Sequence, residues 1–74
     1  MKRYRNLSGK SGVVRYGIGP DFIDVEFGSG AIYRYSQDSA GEDDIEELKK
    51  LAAAGRGLST YISQADPPYQ FRLK

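Results

Sequence analysis

Two short glycine-containing turns separate three runs of alternating apolar and polar residues, and this pattern constrains the fold more than any other feature. The turns are Gly19-Pro20-Asp21 and Gly28-Ser29-Gly30. The alternating apolar residues of the runs are Val14, Tyr16 and Ile18, then Ile23, Val25 and Phe27, then Tyr33 and Tyr35. A period of two is typical of a strand with one covered face, and such short turns join antiparallel neighbours. The sequence therefore predicts a three-stranded antiparallel β-meander.

The second hairpin has two competing registers. A two-residue loop, Ser29-Gly30, would set Val25 opposite Arg34. A three-residue loop, with its last glycine in the left-handed conformation, would set Val25 opposite Tyr33. The longer loop also sets Asp24 opposite Arg34, which is a favourable cross-strand charge pair.

The first hairpin favours the same choice. Pairing Ile18 with Ile23 places Tyr16 opposite Val25, so the two hairpins agree on which face of the sheet is apolar. A slip of one residue would turn that whole face outward. We therefore expect the three-residue loop.

A helix is predicted after the third strand. Ser39 and Glu42 have the spacing of a capping box, and Gly55 is a natural C-terminal stop. The apolar stripe between them comprises Ile45, Leu48 and Ala52, flanked by Leu51. Acidic residues crowd the first turns, where they face the positive end of the helix dipole.

The rest of the chain predicts a short helical turn and a last strand. The turn is indicated by Leu58, Tyr61 and Ile62, and Pro67-Pro68 ends it. The strand is indicated by the alternation of Tyr69, Phe71 and Leu73 with polar residues. The predicted fold class is α+β: a three-stranded antiparallel β-meander packed on one α-helix, with a short helical turn and a C-terminal edge strand.

The chain has 74 residues, which is enough for one domain with one core. We expect residues 1–11 to form a flexible basic lead-in and residues 12–74 to form the domain. No apolar run approaches the length of a membrane span, and the first residues lack the apolar stretch of a secretory signal. Together with the absence of cysteine, this favours a cytoplasmic protein that does not bind membranes. The oligomeric state stays open.

Composition argues against an enzyme. The sequence contains no histidine and no cysteine, which removes the usual nucleophile–base pairs and most zinc sites. Asp24 and Glu26 could form a carboxylate pair on one strand. The predicted pairing gives them arginine partners, Arg34 and Arg15, which would keep both carboxylates ionised. We therefore expect no catalytic residue, no metal site and no cofactor.

Basic residues concentrate in the first part of the chain, where residues 1–16 contain no acid. The candidate nucleic-acid contacts are Lys2, Arg3, Arg5, Lys10 and Arg15, to which the sheet adds Arg34. Such a cluster can attract phosphates. The predicted register places Tyr33 and Tyr35 on the helix-covered side, so we expect them to be structural and not a platform for stacking bases.

The run Val25-Glu26-Phe27-Gly28-Ser29-Gly30-Ala31-Ile32-Tyr33-Arg34-Tyr35 resembles the KTSC domain, a family named for the C-terminal segment of some lysyl-tRNA synthetases and also found as short free-standing proteins. Its mark is a Y-x-Y motif after a glycine hairpin, which Tyr33 and Tyr35 match. Val13-Val14-Arg15-Tyr16 is similar to the family's first strand, and the small residues before Gly55 are similar to the end of its helix. The resemblance covers roughly residues 11–70.

The chain departs from the family pattern at two places. Ser36-Gln37-Asp38 stands where the family usually has Val-Pro, and Gly57-Leu58-Ser59 stands where it has an aromatic pair with asparagine. The family has no established activity, and its association with a tRNA synthetase implies RNA binding.

We therefore expect a small non-catalytic binding domain with RNA as its first candidate partner. The alternative is a protein-interaction module, or a small bacterial or phage inhibitor acting on a bacterial partner. Phe22 and Ile32, on the predicted open face of the sheet, would then form a small docking patch.

Overall fold

The computed structural model describes residues 1–7, 9 and 11–74. Its elements in chain order are the strands β1 (Lys2–Arg3), β2 (Val13–Ile18), β3 (Phe22–Phe27) and β4 (Ile32–Ser36), the helices α1 (Gln37–Ala40), α2 (Glu42–Ala54) and α3 (Leu58–Ala65), and the strand β5 (Phe71–Arg72). The strands form one antiparallel sheet in the order β1-β2-β3-β4-β5. The predicted α+β class is confirmed. The described residues form five strands and three helices, where the prediction had a three-stranded meander, one helix, a helical turn and an edge strand.

Both predicted hairpin registers are confirmed. In the first hairpin Tyr16 lies opposite Val25, and in the second Val25 lies opposite Tyr33. The second turn is the three-residue loop, closed by a 2.9 Å hydrogen bond from the N–H of Phe27 to the carbonyl of Ala31. Gly30 has the positive φ of 95° that this loop requires. The two hairpins therefore share one apolar face.

Strand β2 contains a β-bulge between Val13 and Arg15, which changes the predicted inward residue. Val13 is 1% exposed and lies opposite Phe27, whereas Val14 is 37% exposed. The expectation that Val14 faces the core was wrong. An extra residue in one strand shifts the alternation on one side of the bulge and leaves the other side in register, so Tyr16 still points inward.

The helical region begins earlier than predicted. Ser36 caps α1, and its hydroxyl accepts a hydrogen bond from the backbone N–H of Ser39 at 3.1 Å. The hydroxyl of Ser39 bonds back to Ser36, so Ser39 is the partner in this capping box and not the N-cap of the long helix. Helix α2 starts after Gly41, with three acids in its first turn, and ends at Gly55 as predicted.

The helices cover one face of the sheet, and the core lies between them. Its largest fully buried side chains are Val13, Ile23, Val25, Ile45, Leu48 and Leu58. The predicted stripe of α2 is confirmed, since Ile45, Leu48 and Ala52 are its buried residues. The first predicted residue of the later helical turn, Leu58, is the buried residue of α3. The opposite face of the sheet carries the side chains discussed below.

The first residues of the chain are part of the sheet. Lys2 pairs with Tyr16, Arg3 pairs with Arg15, and Tyr4 is 2% exposed within the core. The sheet therefore begins at Lys2, ahead of the domain boundary predicted at residue 12. A strand of two residues is too short to show a period in the sequence, which is why composition alone suggested a lead-in.

Candidate nucleic-acid interface

The pairing of β1 with β2 places two arginines directly opposite each other. Arg3 is the register partner of Arg15, and both side chains are exposed. Arg15 shares its face with Glu26, so the two arginines point away from the helices. Like charges directly opposite on neighbouring strands destabilise a sheet, and a bound anion would relieve that repulsion.

A cleft of about 420 Å³ adjoins this pair. It is lined by Arg3, Tyr4, Arg5, Asn6, Val13, Val14 and Arg15, and we call it the arginine cleft. Three of the six residues predicted to bind nucleic acid therefore lie around a single cleft. Tyr4 and Val13 are almost fully buried and form its apolar floor, while Arg3, Arg5 and Arg15 are the charged residues of its lining.

Arg3 and Arg15 differ in how their charges are compensated. Arg15 forms an ion pair with Glu26 at 3.2 Å, with more than half of its side chain exposed to solvent. The ion pairs found among the described residues do not include Arg3. The residues of the cleft and its margin therefore include three arginines and one glutamate, and this excess of positive charge favours an anionic ligand.

Arg5 also has a structural role. Its Nη2 donates to the carbonyl of Ala53 at 2.9 Å and to that of Ala54 at 3.4 Å. These carbonyls belong to the last turn of α2, where the helix dipole is negative and a cation is stabilising. The backbone N–H of Leu7 bonds the carbonyl of Gly55 at 2.7 Å. One wall of the cleft is thereby fixed to the end of α2.

Arg34 lies on the same face of the sheet but not in the cleft. It donates two hydrogen bonds to Asp24, at 2.7 and 2.9 Å, and its guanidinium lies 3.9 Å from the ring centroid of Phe22. The ring of Phe71 is its second aromatic neighbour, at 5.3 Å. The bond to Asp24 raises the pKa of Arg34 above its ordinary value. Its charge is therefore already matched by a carboxylate.

The two tyrosines of the Y-x-Y motif face the helix-covered side. Tyr35 is 5% exposed, and burial is the largest cause that raises the pKa of its hydroxyl. Tyr33 is half-buried and packs against the ring of Tyr69 at a centroid distance of 4.8 Å. Tyr35 is therefore closed to a stacking base, and Tyr33 is partly covered.

The other predicted contacts are placed differently. Lys2 is exposed and neighbours Arg3 along β1, so it points to the opposite side of that strand. Lys10 lies outside the described residues. The sequence did not identify Tyr4 and Asn6 as cleft residues. No local sequence pattern marked them, because the pairing of β1 with β2 and the contact of Arg5 with the end of α2 are both long-range.

The part of the chain that the structure describes contains neither a metal-binding cluster nor a membrane-spanning helix. No group of three acidic, histidine or cysteine side chains is placed to hold a metal ion within it. No helix there is long and apolar enough to cross a membrane. Comparison of the chain with protein-family models, with curated proteins and with solved structures found no match.

Proposed function

We propose that this protein is a small, non-catalytic, cytoplasmic RNA-binding domain of the KTSC type, and that it contacts RNA phosphates through the arginine cleft. The observation that supports this most directly is the convergence of Arg3, Arg5 and Arg15 on one cleft at the edge of the sheet. Arginine suits this role because its planar guanidinium forms paired hydrogen bonds with phosphate oxygens. The Y-x-Y resemblance adds the family's association with a tRNA synthetase.

The distribution of charge over the molecule supports the binding of RNA at the arginine cleft. The basic residues of β1 and β2 lie at one edge of the sheet. The acidic residues Glu42, Asp43 and Asp44 begin helix α2, on the helix-covered face of the sheet. A polyanion approaching the molecule is therefore attracted to the β1–β2 edge and repelled from the start of α2. Contacts of this kind release counterions, so the affinity depends steeply on salt.

The test is a titration of isotope-labelled protein with a short mixed-sequence RNA at two salt concentrations, followed by amide chemical shifts. We expect shifts at the cleft residues that weaken as salt increases. Arg3→Gln should weaken binding and reduce the salt slope by about one phosphate contact. Lys50→Gln is the matched control, since Lys50 is exposed on α2 and does not line the cleft. Binding that is equal in both variants, or no shifts at low salt, would contradict the proposal.

A protein partner is the second candidate, favoured by exposed apolar side chains around the edge strand β5. Tyr69, Phe71 and Leu73 are 52%, 40% and 45% exposed. An edge strand can accept a strand from a partner, and aromatic residues often anchor such contacts. A pull-down with Phe71→Asp as the comparison tests this candidate. Equal capture by the wild type and the variant would contradict a docking site at β5.

A further inference from the structure

Among the described residues, the positive charge of the open sheet face that exceeds its carboxylate partners lies at the arginine cleft. Across the rest of that face, the described ion pairs match Arg34 with Asp24, and Glu26 marks the border of the cleft. Proteins that bind the interior of a single-stranded nucleic acid use a positively charged groove that follows the sugar-phosphate backbone. Among the described residues, the open face of β3 and β4 has no such groove, because its arginine is paired with a carboxylate. The site is therefore better suited to one phosphate group than to a row of phosphates.

A terminal phosphate is the best match for a localised cluster of this kind. A phosphate monoester carries about −1.5 to −2 charges near neutral pH, because its second pKa is about 6. An internal phosphodiester carries a single charge. Three guanidiniums with one nearby carboxylate therefore favour the monoester, and relief of the Arg3–Arg15 repulsion increases with ligand charge.

The guanidiniums retain hydrogen-bond donors for such a ligand. Each guanidinium has five N–H donors. Among the described residues, the side-chain hydrogen bonds of Arg15 use only Nη1 and those of Arg5 use only Nη2. The volume of the cleft, about 420 Å³, lies within the range of small-molecule sites, which is roughly 300–1,000 Å³. The cleft therefore has space for a phosphate with its attached nucleoside.

We infer that the arginine cleft recognises the terminal phosphate monoester of an RNA chain, so that the protein is selective for RNA ends. This inference rests on the proposed RNA-binding function and specifies its ligand. Arg3 and Arg15 are the primary phosphate ligands. Arg5 adds positive charge to the lining of the cleft, while its guanidinium is held by the carbonyls at the end of α2.

The test compares three RNA oligonucleotides of one sequence, with a 5′-phosphate, with a 3′-phosphate, and with hydroxyl groups at both ends. Anisotropy of an internally labelled oligonucleotide measures the affinities. We expect one phosphorylated form to bind about tenfold more tightly or better, as for a charge-assisted contact. The better form identifies the end that is recognised. Equal affinity for all three would overturn this inference while leaving RNA binding intact, and absence of binding by all three would overturn both.

Variants and pH give a second readout. Arg3→Gln should remove the preference for the phosphorylated oligonucleotide, while Lys50→Gln should retain it. The preference should also decline as the pH falls through about 6, where the monoester gains a proton. Histidine is the side chain that ordinarily titrates in this range, and the sequence has none. A change of preference near pH 6 therefore reports the protonation of the phosphate. A preference that is unchanged between pH 5 and pH 7, or unchanged in Arg3→Gln, would contradict recognition of the monoester.

Discussion

The hydroxyl of Tyr4 accepts a hydrogen bond from the backbone N–H of Leu58, at 3.3 Å. Leu58 is the first residue of α3, where backbone N–H groups have no partner within the helix. The ring of Tyr4 packs edge-on against that of Tyr16 in the core. A residue near the start of the chain therefore joins the sheet to the beginning of the last helix.

Shortening this side chain should strongly destabilise the domain. We expect Tyr4→Ala to lower the free energy of unfolding by about 3–5 kcal/mol, as for other large aromatic side chains lost from a core. Tyr4→Phe should cost only about 1 kcal/mol, because it removes one hydrogen bond and keeps the ring. Chemical denaturation monitored by circular dichroism measures both. A Tyr4→Ala variant as stable as the wild type would show that residues 1–7 do not belong to the cooperative unit.

The two cross-strand arginine–carboxylate pairs should differ in strength. Arg34 makes two short bonds to Asp24, and the side chains are 28% and 14% exposed. We expect Arg34→Ala to cost about 2 kcal/mol, since it leaves a half-buried carboxylate without its partner. Arg15→Ala should cost no more than about 0.5 kcal/mol, because an exposed pair contributes little and the change also removes the repulsion between Arg15 and Arg3. Urea denaturation at constant salt compares them, and a larger loss from Arg15→Ala would reverse this ranking.

Gly55 cannot accept a side chain without disturbing the arginine cleft. Its φ is 80°, and an added Cβ would lie 2.8 Å from the Cβ of Arg5. We expect Gly55→Ala to cost more than the 1–2 kcal/mol of a left-handed non-glycine residue alone. Gly57→Ala is the matched control, with the same φ but an ordinary 3.5 Å contact to Leu51. Thermal unfolding of the two variants isolates the contact with Arg5, and equal losses would argue against it.

The parts of the fold that could be predicted are those in which several local signals agree. The meander was predictable because two turns and three alternations favour one register, including the pairing of Asp24 with Arg34. The bulge at Val14 was not, since it depends on the path of the chain beside the second turn, where the N–H of Gly28 bonds the carbonyl of Gly12 at 2.8 Å. The start of the helical region was missed because Ser36 and Ser39 are both good capping residues, and only the tertiary structure selects between them.

The candidate site shows the same limit. The sequence identified Arg3, Arg5 and Arg15 as basic, but their convergence depends on a two-residue strand with no detectable period. The anchoring of Arg5 depends on the end of α2, which is far from it in sequence. Charge could thus be predicted from the sequence, whereas the grouping of charges required the pairing of β1 with β2.

Alkaline pH should weaken the contact between α2 and α3. The hydroxyl of Tyr61 donates a hydrogen bond to Asp44 at 2.6 Å, and this bond is the main cause that raises the pKa of Tyr61 to about 12. The ordinary pKa of tyrosine is about 10, so between these values the folded state holds a proton that the unfolded state has lost. The stabilisation by this bond is complete below pH 10 and disappears as the pH rises through about 12.

Tyr61→Phe tests this dependence directly. The variant should be less stable than the wild type at neutral pH, and its stability should fall less steeply between about pH 10 and pH 12. The two stability curves should therefore converge in that range. Urea denaturation at a series of pH values measures the two curves. Tyr35→Phe is the comparison variant, because burial, and not a hydrogen bond, is the largest cause that raises the pKa of Tyr35. Parallel curves for wild type and Tyr61→Phe would show that the bond to Asp44 does not stabilise the folded state.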